Sequence, residues 1–100
     1  MTDTDTSVGE APLDLPERLD FAACETLATS LETRRGSDLR LQAGQVGFLG
    51  ALAAEILLRA RLQWQHDGAA FDLADPSPDF LQGLDRLGIP RHALMQEDSA

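Results

Sequence analysis

Residues 44–64, GQVGFLGALAAEILLRARLQW, most narrow what this chain can become. Gly44, Gly47 and Gly50 recur at every third position. Such a spacing predicts a loop whose backbone takes positive φ or lies close against another surface. From Gly50 onward the residues are almost all strong helix formers. Apolar side chains at Leu49, Leu52 or Ala53, Ile56 and Ala60, widened by Leu57 and Trp64, repeat with the 3.6-residue period of a helix laid on a sheet. A helix that opens from a loop directly after a strand is where open α/β sheets tend to place function.

The flanking segments alternate in kind. Residues 11–15 read as a short first strand with Leu13 and Leu15 on one face, and Pro16 limits its extension. Asp20 is an N-cap signal, and Phe21, Cys24, Leu27 or Ala28, and Leu31 then share one face of a helix over residues 20–35, ended by Gly36. Residues 38–43, DLRLQA, alternate apolar and polar, as expected of a strand with one side not fully dry or of one near an edge. After the apolar helix, which should end near Gln65, Gly68 is a stop signal and residues 69–73 form a third strand. Ser77-Pro78-Asp79 then starts a third helix that carries Phe80, Leu81, Leu84 and Leu87 inward and ends at Gly88. Residues 89–95 read as a short strand or an extended return. Alternation of this kind predicts an α/β fold with a mostly parallel sheet covered by three to four helices.

One hundred residues hold one domain, here residues 13–95 between an acidic tail at 1–12 and a tail at 96–100, both expected to be disordered. The formal charge is −9, and every one of the eight cations is Arg. That surface repels phosphate backbones and anionic headgroups, so it disfavours nucleic acid and membrane surfaces and suits a partner with a basic face. Cys24 is the lone cysteine, which rules out an internal disulfide and a cysteine metal cluster. No basic-plus-apolar leader is visible, and the apolar run falls short of the ~20 residues that span a bilayer. The default expectation is a cytoplasmic address, without membrane insertion.

The layout is similar to the STAS domain, the fold of bacterial anti-sigma factor antagonists. The similarity covers residues 13–89. It rests on Pro16-Glu17-Arg18-Leu19-Asp20-Phe21, with Pro or Glu where the family has Gly; on Val46, Phe48 and Leu49 before the second helix; on the Leu-rich face of residues 54–58; and on Phe71 to Ser77, Phe80, Leu84 and Leu87-Gly88-Ile89. In regulatory members the second helix opens with Asp-Ser-Ser/Thr-Gly-Leu, and a partner kinase phosphorylates a Ser there. The matching run here is Gly50-Ala51-Leu52-Ala53-Ala54, with Ala51 at the acceptor position. Between Asp38 and Pro76 there is no Ser or Thr. A phosphoryl group, worth about −1.5 to −2 charges, therefore cannot act as a switch on this loop.

The resemblance implies a non-enzymatic interaction module of bacterial signalling. Its partner would be a kinase-like or ATPase protein, as for the members beside chemotaxis histidine kinases. Phe48, Leu49, Gly50, Ala51, Leu52 and Glu55 would make the contact, with the equal alternative that Leu49 and Leu52 fold under, and no cofactor is implied. The alternative is a STAS subunit of a lipid-transport ABC transporter. Oligomeric state is open between a monomer and a weak homodimer. The other chemistry-bearing residues have plain explanations. The glycine spacing lacks the Lys-Ser/Thr of a phosphate loop. His66 lies at a helix end and His92 has no partner at useful spacing. Cys24 falls on an apolar face, Ser77 reads as a cap, Asp75 and Asp79 flank a helix start, and Trp64 reads as core. A small enzyme has the least support, because no nucleophile–base pair or metal-ligand cluster stands out.

Overall fold

A computed structural model describes residues 12–95. Both expected tails, apart from Pro12, lie outside the described residues, as does Ala11 of the first expected strand. The elements follow in the order β1 (Leu13–Asp14), β2 (Arg18–Leu19), α1 (Cys24–Thr33), β3 (Leu39–Gln42), β4 (Phe48–Leu49), α2 (Ala51–Asp67), β5 (Phe71–Ala74) and α3 (Pro78–Leu87). Two 3₁₀ turns, Phe21–Ala23 and Arg91–Ala93, precede α1 and follow α3. All ladders among the described residues are parallel. One sheet runs β1-β3-β5 and a second, smaller one pairs β2 with β4. This is the expected α/β architecture.

The two sheets are one ribbon interrupted once. β1 and β2 are neighbours in sequence and pair with β3 and β4, which are neighbours in turn. Between the ladders the first chain crosses from Asp14 to Arg18, and the second from Gln42 to Phe48 by a longer loop. Hydrogen bonds carry the pairing across. The Leu15 N–H donates to the Gln42 carbonyl (2.9 Å), the Gln45 side-chain amide donates to the Leu15 carbonyl (2.8 Å), and the Gly47 N–H donates to the Glu17 carbonyl (2.7 Å).

Alternation decides which side of the sheet is dry. Leu39, Leu41, Phe71 and Leu73 are buried on the face that the helices cover. On the other face Arg40 lies opposite Asp72 in register, with Nε 3.5 Å from the carboxylate, and both are about half exposed. The half-wet strand expected at residues 38–43 is thus an open sheet face. Such pairs contribute little at the surface, so the helix-side core carries the stability.

That core closes around Trp64 and Phe80. Trp64, the expected core residue, donates its indole N–H to the Ser37 carbonyl at 2.7 Å and meets Phe71 edge-on with centroids 5.7 Å apart. A buried indole needs such an acceptor. Gly68 and Gly88 end α2 and α3 at φ 75° and 73°, the left-handed conformation that costs glycine least. α2 runs to Asp67, two residues beyond the expected Gln65. The Ser77 hydroxyl caps α3, with Pro78 at its first position.

The edge of β1 is guarded. Leu13 and Leu15 turn their backbone groups toward β3, so Pro12, Asp14 and Pro16 face outward. Two of those three residues have no N–H to offer another strand.

Two expectations need correction, and a third resolves between its alternatives. Positive φ among the described glycines occurs at Gly36, Gly68 and Gly88, and not at Gly44, Gly47 or Gly50. Gly50 serves the close approach that was the other alternative, since a Cβ there would sit 3.1 Å from the Leu19 carbonyl oxygen, whereas Cβ atoms on Gly44 and Gly47 would meet nothing closer than 3.4 Å. Phe21 does not join the buried face of α1 but is 80% exposed. It lies in a 3₁₀ turn ahead of α1, whose buried face is made by Cys24, Leu27 and Leu31 alone. Residues 89–95 form neither a strand nor an extended return. Pro90 starts a 3₁₀ turn closed by Ala93 N–H to the Pro90 carbonyl at 3.0 Å.

Candidate functional site

α2 opens on Gly50, which has extended backbone and supplies no side-chain cap, and its first turn carries no acid. The Gly50 N–H instead donates to the Leu19 carbonyl at 2.9 Å, extending the β2–β4 ladder. This bond draws the start of α2 against the end of β2. A Cβ on Gly50 would lie 3.8 Å from Asp20 Cα. Phe21 and Ala22 follow directly on Asp20, and Ala51 and Leu52 directly on Gly50. All four are exposed, Phe21 at 80% and Leu52 at 42%. Phe48 completes the patch. It is half-buried, its ring edge would be 3.4 Å from a Gly50 Cβ, and the Arg18 guanidinium lies 5.1 Å from its ring centroid. Two helix starts thus meet in one apolar lip.

The six residues expected to contact a partner divide. Ala51 and Leu52 face solvent, and so does Glu55, one turn on, where Arg59 holds its carboxylate at 2.8 Å. Phe48 and Gly50 are partly covered. Leu49 is a correction: at 1% exposure it is core, its side chain beneath α3 beside Gly83. Period 2 in β4 sends Phe48 and Leu49 to opposite sides, so only one of them could reach a partner. Phe21 joins the lip although its periodicity placed it inside. The only sequence signal was Asp20, whose carboxylate accepts from the Ala23 N–H at 3.2 Å and so caps the 3₁₀ turn.

No family model, no curated protein and no solved structure matches this chain.

Elsewhere the Ser77 hydroxyl and the Cys24 thiol are engaged. Ser77 Oγ donates to the Val46 carbonyl and accepts from the Phe80 N–H at 3.0 Å, which leaves it no lone role as a nucleophile. The buried Cys24 thiol donates to the Asp20 carbonyl. His66 is exposed in the last turn of α2, and the His92 carbonyl accepts from Arg61. No three His, Cys, Asp or Glu side chains among the described residues converge as metal ligands. No described helix is long and apolar enough to cross a membrane.

Among the concavities that the lip residues do not line are two at the sheet. One is a 260 Å³ apolar groove between β1 and α1, lined by Leu13, Leu15, Pro16, Ala23 and Leu27. The other is a shallow cleft at the carboxyl ends of the strands, where Asp14, Gln42, Gln45 and Asp75 meet. Neither contains a residue expected to bind a partner. Asp67 titrates below its ordinary range. Desolvation pushes its carboxyl up, but hydrogen bonds from Gln63 and Arg35 and the charges of Arg35 and His66 outweigh this and hold it below the ordinary 3.8. It ties the end of α2 to the turn after α1 and is far along the helix from the lip.

Proposed function

We propose that this protein is a STAS-type interaction module of bacterial signalling that binds a kinase-like or ATPase partner through the lip at the start of α2. The observation that carries the reading is the clustering of exposed Phe21, Ala51 and Leu52 where two helix starts touch. Exposed apolar side chains gathered in one place favour a protein interface over solvent. The lip has Ala51 where the family has its phosphoacceptor, so docking there is constitutive. The lip's shape follows from the backbone bond between Gly50 and Leu19, and no modification is needed to form it.

The test is site-specific photo-crosslinking in the source cell. A benzophenone side chain at position 52 should trap one predominant protein. The same group at position 62, equally apolar and 65% exposed in α2 but outside the lip, should not. Equal trapping at both positions would refute the assignment. A trapped transporter ATPase in place of a signalling protein would favour the assembly role in lipid transport.

A further inference from the structure

We propose that the lip selects a cationic amphipathic helix, whose apolar stripe covers Phe21, Ala51 and Leu52 and whose flanking Lys or Arg side chains meet Glu17 and Glu25. The inference rests on the lip being a docking face and adds the chemistry of what docks.

Two exposed acids neighbour the residues of the lip. Glu25, the second residue of α1, is four positions beyond Phe21 and is exposed. On the strand side the Glu17 carbonyl accepts from both Gly47 and Phe48 N–H groups, which fixes exposed Glu17 beside the Phe48 edge of the lip. The neighbouring cations are already committed. Arg18 lies 3.3 Å from the Asp20 carboxylate and above the Phe48 ring. Arg59 lies 2.8 Å from Glu55. Arg86 donates to the Leu49 carbonyl at 3.3 Å. No cation of the described residues forms an ion pair with Glu17 or Glu25. An apolar patch with uncompensated carboxylates nearby suits a helix whose apolar stripe is bordered by basic residues. Such charge matching governs partner choice and association rate more than it governs final affinity. A second copy of the chain is a poor occupant, because it would bring the same acids face to face.

The experiment uses the full ¹⁵N-labelled chain and two helical peptides of identical apolar spacing, one Leu/Lys and one Leu/Glu. The Leu/Lys peptide should shift the amides of Ala22, Ala51 and Leu52, and the Leu/Glu peptide should not. Leu52→Asp should remove those shifts. The double variant Glu17→Lys, Glu25→Lys, both at exposed positions, should weaken Leu/Lys binding about tenfold or more and admit the Leu/Glu peptide. Equal binding of both peptides at the lip overturns the charge rule while leaving the lip as a docking face. Leu/Lys shifts spread over Asp72, Asp75 and other distant acids, with the lip unmoved, overturn this proposal and weigh against the docking face as well.

Discussion

Gly83 of α3 and Leu49 of β4 leave no room between them for a methyl group: a Cβ on Gly83 would lie 2.9 Å from Leu49 Cβ. The contact seats α3 on the ladder that leads into the lip. Alanine is the better helix former by about 1 kcal/mol, so propensity alone would make Gly83→Ala stabilising. The clash is with a Cβ, which cannot swing aside, and overpacking of this kind costs about 1–3 kcal/mol. The expected outcome is a net loss of about 1 kcal/mol, read as a lower urea midpoint with unchanged slope. A raised midpoint would mean that α3 can lift off β4 freely.

Leu49 and Leu52 should part company under truncation. Leu49→Ala opens a cavity in a fully closed core and should cost about 2–5 kcal/mol. Leu52 is 42% exposed, and Leu52→Ala should change stability by less than about 1 kcal/mol, a partial share of the full burial of a leucine. Urea unfolding of the two variants side by side decides the matter. Similar losses in both would place Leu52 under the fold and remove it from the docking face.

Ser77 has two structural tasks in one hydroxyl. It caps α3 through the Phe80 N–H and satisfies the Val46 carbonyl in the loop between β3 and β4. Ser77→Ala loses a cap worth about 1 kcal/mol and leaves a buried carbonyl without its donor, for a further 1–3 kcal/mol or so. Thermal melting should fall accordingly, and amide exchange at Phe80 should accelerate beyond the global change.

These residues also show how far the chain could be read in advance. Ser77, Pro78, Gly68 and Gly88 mark helix ends through side-chain or backbone chemistry that acts within a few positions, and each end lies within two residues of its expected place. The alternation in residues 38–43 likewise announced an open sheet face. The two-residue strands β2 and β4 were not legible as a ladder, because two residues display no period; only their pairing, thirty positions apart, creates them. Leu49 and Phe21 were misplaced for related reasons. Leu49 is buried by α3, which arrives much later in the chain. Phe21 belongs to a 3₁₀ turn capped by Asp20 ahead of α1, and hydrophobic spacing does not register where the regular helix begins.

Acid should weaken the fold in part through Asp67. Its carboxyl is held below 3.8 in the folded chain, so its contribution is present at neutral pH and above the unfolded value. That contribution is lost as pH falls through the folded pKa. Arg35 binds it through two nitrogens, the closer at 3.1 Å. Asp67→Asn should therefore be less stable than wild type near neutrality, and the gap should shrink as the medium is acidified below about pH 4. Urea titrations of both proteins across that range test this. A gap that stays constant down to the most acidic point would show that the Arg35 contact does not depend on the charge.

Pro12 and Pro16 flank the outward position of Asp14 on β1. A fibre built by strand addition needs a receptive border on each side of every subunit, so that each copy can both give and take. This sheet has one border where, over residues 12–16, Asp14 alone turns an N–H outward. Edge-to-edge growth would therefore stop after a single step, and a concentrated solution of an apolar-lipped molecule is protected from runaway polymerisation by two residues that touch neither the lip nor anything it binds.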